Sequence, residues 1–92
     1  MKIFFFEGCP YCRKARKYLE AFLEKTDEYR KIEIEWIDEK VHPEIAEQYD
    51  YWYVPTFYIN GEKAHEGPAD KKQVKALLDR ALSEEKHEEK PA

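Results

Sequence analysis

The strongest constraint on this chain is the order of its first three elements. Residues 2–6 (KIFFF) form a short apolar run closed by Glu7-Gly8, the pattern of a central strand buried on both faces. From Pro10 to about Lys25 the period becomes that of a helix. Ala15, Tyr18, Leu19, Phe22 and Leu23 recur at three- and four-residue spacing as one apolar stripe, and Arg13, Lys14, Arg16, Lys17, Glu20 and Glu24 cover the rest. Pro10 stands at the first helical position, where a missing N–H costs nothing. Residues 32–38 (IEIEWID) alternate, with Ile32, Ile34 and Trp36 on one face and Glu33 and Glu35 on the other, which places this strand towards a sheet edge. A long helix between two strands is a βαβ unit, so the two strands pair in parallel.

The second half reads differently. Residues 43–49 (PEIAEQY) form a short helix led by proline, and 50–54 (DYWYV) carry three consecutive aromatic rings ahead of Pro55. Residues 56–59 and 62–65 are strands joined by Asn60-Gly61, a pair that tolerates positive φ and so marks a tight hairpin. Gly67-Pro68-Ala69 is a loop. Asp70 caps a last helix whose buried stripe is Val74, Leu77, Leu78, Ala81 and Leu82. Beyond Leu82 the sequence SEEKHEEKPA has no apolar period. The expected architecture is an α/β fold, β-α-β-α-β-β-α, with a four-stranded mixed sheet flanked by three helices. One domain spans 1–83 and a charged, disordered tail spans 84–92.

At 92 residues the chain has room for a single core. Charged side chains make up 39%, but the 15% that are aromatic bury enough area to offset them. A net charge of −4 argues against nucleic acid or an anionic membrane as partner, since both need a basic patch. No apolar run approaches the ~20 residues of a membrane span. The start, Met1-Lys2 before four apolar residues, lacks the length and cleavage site of a secretory signal, so a cytoplasmic monomer is expected.

Only two cysteines occur, three residues apart, in Cys9-Pro10-Tyr11-Cys12. A disulfide-stapled scaffold would carry more, spread along the chain, so these two are read as chemical. Cys9 falls at the strand-to-helix junction, as the N-cap. There the free amides of the first turn and the helix dipole favour negative charge on its sulfur, aided by Arg13 and Lys14 and opposed by Glu7. Its thiol is expected below the free value of about 8.5. A fall to ~6 would raise the thiolate at pH 7 about thirty-fold but lower its intrinsic reactivity roughly thirteen-fold. The larger benefit is as a leaving group and in choosing which sulfur reacts. Cys12, one turn inside the helix, comes within disulfide range at roughly 5–6 Å between Cα atoms. It is expected to be the more buried of the pair, with an ordinary or raised pKa.

A C-x-x-C between a strand and a helix start, followed by a hairpin just after Val54-Pro55, resembles the thioredoxin-fold superfamily over residues 2 to about 82. The CPYC sequence looks most like a glutaredoxin. That resemblance implies a thiol–disulfide oxidoreductase in which Cys9 attacks protein or glutathione mixed disulfides and Cys12 resolves the adduct. It implies a cis peptide before Pro55, with the Val54 backbone free to pair with a bound peptide or glutathione. Tyr11, Gly67 and Asp70 would line the same groove, Gly67-Pro68-Ala69-Asp70 standing where glutaredoxins bind the γ-glutamyl end of glutathione. Glutathione would be a co-substrate, with no cofactor bound. Phe6 stands where glutaredoxins carry a lysine, and Tyr53-Val54-Pro55 replaces the common Thr-Val-Pro. Small thioredoxins share the CPYC motif and take electrons from a flavoprotein thioredoxin reductase, which is the alternative donor. Against a typical thioredoxin, Ile3 stands where a buried acid would serve Cys12.

A different class of reading is a metal or iron–sulfur module. Zinc needs four ligands. Cys9 and Cys12 supply two, and His42 and His65 lack matching spacing and read as surface residues. Proline within the motif disfavours a bridged cluster in glutaredoxin relatives. The Tyr51-Trp52-Tyr53 run reads most simply as core; the functional alternative leaves rings exposed beside Cys9 as a docking patch. Arg13, Lys14, Arg16 and Lys17 read as a solvated helix face that could instead draw anionic substrates.

Overall fold

The computed structural model describes residues 1–88. Its elements are β1 (Lys2–Phe5), α1 (Pro10–Lys25), a short 3₁₀ segment (Asp27–Lys31), β2 (Glu35–Asp38), α2 (Pro43–Ala46), β3 (Thr56–Ile59), β4 (Glu62–Glu66) and α3 (Lys71–Glu88). The sheet order is β2-β1-β3-β4. β1 runs parallel to β2 and antiparallel to β3, and β3 is antiparallel to β4. The expected mixed sheet is therefore present, with β2 at an edge.

Side chains on β1 alternate between two cores. Ile3 pairs with Trp36 and Phe57 and packs with Ala15, Leu19, Val74 and Leu78 beneath α1 and α3. Phe4 pairs with Ile37 and Thr56 and faces the α2 side with Tyr58. There its ring lies 4.8 Å from Tyr49, 5.1 Å from Tyr51 and 5.9 Å from Tyr58. Both Ile3 and Phe4 are fully buried, so the strand has no solvent face. Asn60 at φ 53° and Gly61 at φ 78° make the tight hairpin turn between β3 and β4.

Several boundaries differ from the sequence expectation. Residues 32–34 do not join the strand, because β1 offers pairing only from Lys2, opposite Glu35. Ile32 and Ile34 still pack on the α1–α3 side. The helix expected over 43–49 is one turn, Pro43–Ala46, after which the chain bends to bring Tyr49 onto Phe4. At the other end α3 continues through Glu88, past the last apolar position. Arg80 Nε reaches Glu84 at 2.6 Å and Asn60 Nδ2 donates to the same carboxylate at 3.1 Å, a polar tether from helix to hairpin turn that leaves no apolar period to read. Of the tail expected over 84–92, residues 84–88 are helical and 89–92 lie outside the described residues.

Asp70 and Gln73 close a capping box at the start of α3. Gln73 N donates to Asp70 Oδ1 at 2.8 Å, and Asp70 N donates to Gln73 Oε1 at 2.9 Å. Phe4→Ala should lower the unfolding free energy by about 3–5 kcal/mol through lost ring contacts and a residual cavity. A urea titration would show this as a lower midpoint at unchanged slope.

Candidate active site

Beyond β1 the chain turns through Gly8, at φ 90°, where no side chain would clash but an L residue would be strained. Cys9 N donates to Phe6 O at 3.3 Å, which seats Cys9 as the N-cap of α1 with extended backbone. Its Sγ accepts a hydrogen bond from Cys12 N at 3.2 Å, while Arg13 N donates to Cys9 O at 3.1 Å. Pro10 occupies the first turn and no acidic residue lies there. The positive end of the helix therefore acts on the sulfur, opposed by Glu7, which lines the same cleft.

Both cysteines are free thiols. The expectation that Cys12 is the more buried is not met: Cys9 is 3% exposed and Cys12 4%. The reason is the cap itself, which folds the Cys9 side chain back over the first turn towards the Cys12 amide. The two sulfurs line a narrow cleft of about 30 Å³ with Phe5, Phe6, Glu7, Arg13, Arg16 and Trp36. That volume is close to the share of one water molecule in the liquid.

The electrostatics of Cys12 are distinct. Burial pushes its thiol up to about 12; the hydrogen bond to Cys9 acts in the same direction, the Phe6 amide opposes it, and the charges of Cys9 and Glu39 add to the rise. Cys12 therefore keeps its proton at neutral pH. Glu39 follows β2 and accepts from Tyr51 Oη at 2.7 Å. Ile3 leaves the central strand without an acid at that place.

Tyr11, exposed, and Asp70 line a separate groove of about 330 Å³ with Lys14, Tyr18, Pro68 and Gln73. Val54–Pro55 is cis. Val54 is half-buried against the Phe4 core, and Pro55 O accepts from Gly67 N at 2.8 Å. Gly67 itself is buried at φ 94°. Of the expected site residues, Cys9 and Cys12 line the dithiol cleft and Tyr11 and Asp70 the separate groove, while Val54, Pro55 and Gly67 line neither.

Two expectations change here. Of the aromatic run only Tyr51 packs into the core; Trp52 is 86% and Tyr53 70% exposed. On the α2 face the core is made by Phe4, Tyr49, Tyr51 and Tyr58, and Trp52 stands at the rim of an open surface groove beside Tyr49 and Tyr51. Of the basic cluster, Arg16 lies over aromatic rings while its side chain stays 42% exposed: its guanidinium is 4.3 Å from the Trp36 ring centre and 5.7 Å from that of Phe5. The i,i+3 pair Asp70 and Gln73 was readable as a capping box, whereas nothing in the sequence pointed to Arg16 over Trp36 or to Glu39. Among the described residues no three His, Cys, Asp or Glu side chains come together to hold a metal ion.

A Cys12 thiol held near 12 should react slowly in the native state. At pH 8 its thiolate is about nine-hundred-fold scarcer than at the ordinary value of 9.0, and the greater nucleophilicity of a weaker acid returns about twenty-fold. Iodoacetamide should therefore modify Cys12 roughly forty-fold more slowly in the native protein than in urea, before steric protection is counted. Peptide mass spectrometry checks this; equal rates would show that burial does not protect the thiol.

No helix among the described residues is long and apolar enough to cross a membrane. Comparison with known proteins returned no matching curated protein and no matching solved structure. The family model described as Thioredoxin domain matches residues 1–79, which include all four strands and the helix that presents the cysteines. A cysteine pair at that place in such a domain points to thiol–disulfide redox chemistry. On the extent of that match the chain belongs to the thioredoxin-domain family.

Proposed function

We propose that the protein is a dithiol oxidoreductase that reduces disulfides in proteins. One observation carries the reading: the Cys9 sulfur caps α1 while Cys12, one turn along, holds its proton. The two thiols thereby have different tasks. Cys9, as thiolate, attacks one sulfur of a substrate disulfide, forming a mixed disulfide and releasing the other sulfur as a thiolate. Cys12 then passes its proton to the released substrate thiolate and attacks Cys9 Sγ. The Cys9–Cys12 disulfide forms, the second substrate thiolate leaves, and two electrons have passed to the substrate. The exposed rings of Trp52 and Tyr53, just ahead of Val54–Pro55, supply apolar area for a polypeptide carrying the disulfide.

A donor must return two electrons. The groove lined by Tyr11, Lys14 and Asp70 favours glutathione, a small peptide with both charges, as co-substrate in the glutaredoxin manner. Phe6 in place of a lysine, and the Asp70 amide already paired with Gln73, favour a flavoprotein thioredoxin reductase. A monomer in a reducing compartment such as the cytoplasm suits a dithiol that must be re-reduced after each turnover.

Two coupled assays test the reading. One supplies glutathione, glutathione reductase, NADPH and a small mixed disulfide; the other supplies thioredoxin reductase, NADPH and a protein disulfide. Activity in one arm alone identifies the donor. Cys9→Ser should lower turnover by at least ~1,000-fold, and Cys12→Ser should accumulate a mixed disulfide with the protein substrate. A folded wild-type chain inactive in both arms would overturn the proposal.

A further inference from the structure

The segment that carries the exposed rings has an anchor outside the dithiol motif. Glu66 ends β4 opposite Thr56, on the face occupied by Phe4 and Tyr58. Its Oε2 accepts from the amides of Trp52 and Tyr53, the latter at 2.9 Å. Its other oxygen, Oε1, takes Lys63 Nζ at 2.8 Å. In a regular strand, residues three apart point to opposite faces. Here a register shift lets Phe57 pair with His65 and Tyr58 with Lys63, so Ala64 is extra and Lys63 returns to the face of Glu66. Lys63 Nζ also donates to Asp50 O at 3.2 Å, and Tyr58 Oη donates to the same carbonyl at 2.7 Å. Thr56 Oγ1 closes the segment from the other side by donating to Tyr53 O.

We infer that Glu66 is a positioning residue for protein substrates, its carboxylate clasping the backbone of residues 52 and 53 so that the Trp52 and Tyr53 rings and the Val54 backbone are presented in one fixed arrangement. The inference rests on the proposed reduction of protein disulfides. The side chain is 20% exposed and has no contact with either cysteine among its hydrogen bonds. Lys63 and the two amides hold its carboxyl down at about 2, so the clasp is ionised throughout the working range. Two amides converging on one oxygen leave the Trp52 and Tyr53 backbone little freedom, and both rings must then turn outward. An ordered segment costs a polypeptide substrate less entropy on binding than a loose one. A small disulfide that reaches only the cleft gains nothing from it.

The test compares Glu66→Ala and Glu66→Gln with the wild type, each first shown to be folded at the assay temperature. Reduction of insulin with dithiothreitol as donor reports on a polypeptide substrate, and reduction of 5,5′-dithiobis(2-nitrobenzoate) on a small one. Glu66→Ala should raise KM for insulin about five-fold with kcat and the small-disulfide rate within about two-fold, and Glu66→Gln, whose amide oxygen still accepts both N–H groups, should recover most of the loss. Hydrogen exchange read by NMR gives a measure free of activity: the Trp52 and Tyr53 amides should exchange at least ~10-fold faster in Glu66→Ala. Unchanged KM and unchanged exchange overturn the clasp, as does a parallel fall in both substrates. A wild type that reduces neither probe, yet loses amide protection on substitution, overturns the proposed reaction and leaves the clasp as an anchor without that role.

Discussion

Everything at the dithiol end depends on the burial of β1. Ile3 and Phe4 are both fully buried and point into different cores, and the strand is hydrogen-bonded to β2 on one side and β3 on the other. A strand held on four sides cannot slip, since a one-residue shift would put Ile3 among the tyrosines and Phe4 beneath α1. Its end at Phe5 is thereby fixed. The Gly8 turn then places Cys9 at the start of α1, and Ala15 and Leu19 hold that helix to the same sheet. The position of one sulfur atom is set by apolar contacts made several residues away.

The two sulfurs lie in one cleft, similarly covered, yet are electrically unlike. Cys9 accepts an amide hydrogen bond at a helix end whose first turn carries no acidic side chain. Cys12 sits within the helix, where burial dominates and the amide of Phe6 only partly offsets it. Solvent exposure therefore does not distinguish the two thiols. The direction of the backbone dipoles around each sulfur does. Arg16, drawn over Trp36, gives the cleft one cationic wall without an acid in the central strand.

Much of this was legible in the chain because it rests on local rules. The βαβ order follows from a change of hydrophobic period between residues 6 and 32. The Asn60-Gly61 turn follows from two residues that tolerate positive φ, and the Asp70 cap from a short acceptor before a stripe. The Tyr51-Trp52-Tyr53 run divides between its two readings, Tyr51 packing into the core and Trp52 and Tyr53 staying exposed, because ring size alone does not say which ring finds a place. Tyr51 joins Phe4, Tyr49 and Tyr58 on the α2 face, and Glu66 holds the amides of residues 52 and 53 from another strand. The greater burial expected of Cys12 failed because a capping side chain folds back onto its own helix.

By itself the sequence determined the order of elements, the two apolar faces of the central strand and the placement of a cysteine pair at a helix start. These depend on periodicity and on the φ preferences of single residues, which act over a few positions. Tertiary structure alone decided which strand ends lie beside the dithiol, that Lys63 shares a face with Glu66, that Arg16 lies over Trp36, and that Trp52 and Tyr53 stay in water. Each of those outcomes is a competition for space or for a hydrogen-bond partner between residues far apart in the chain, settled only when the sheet closes.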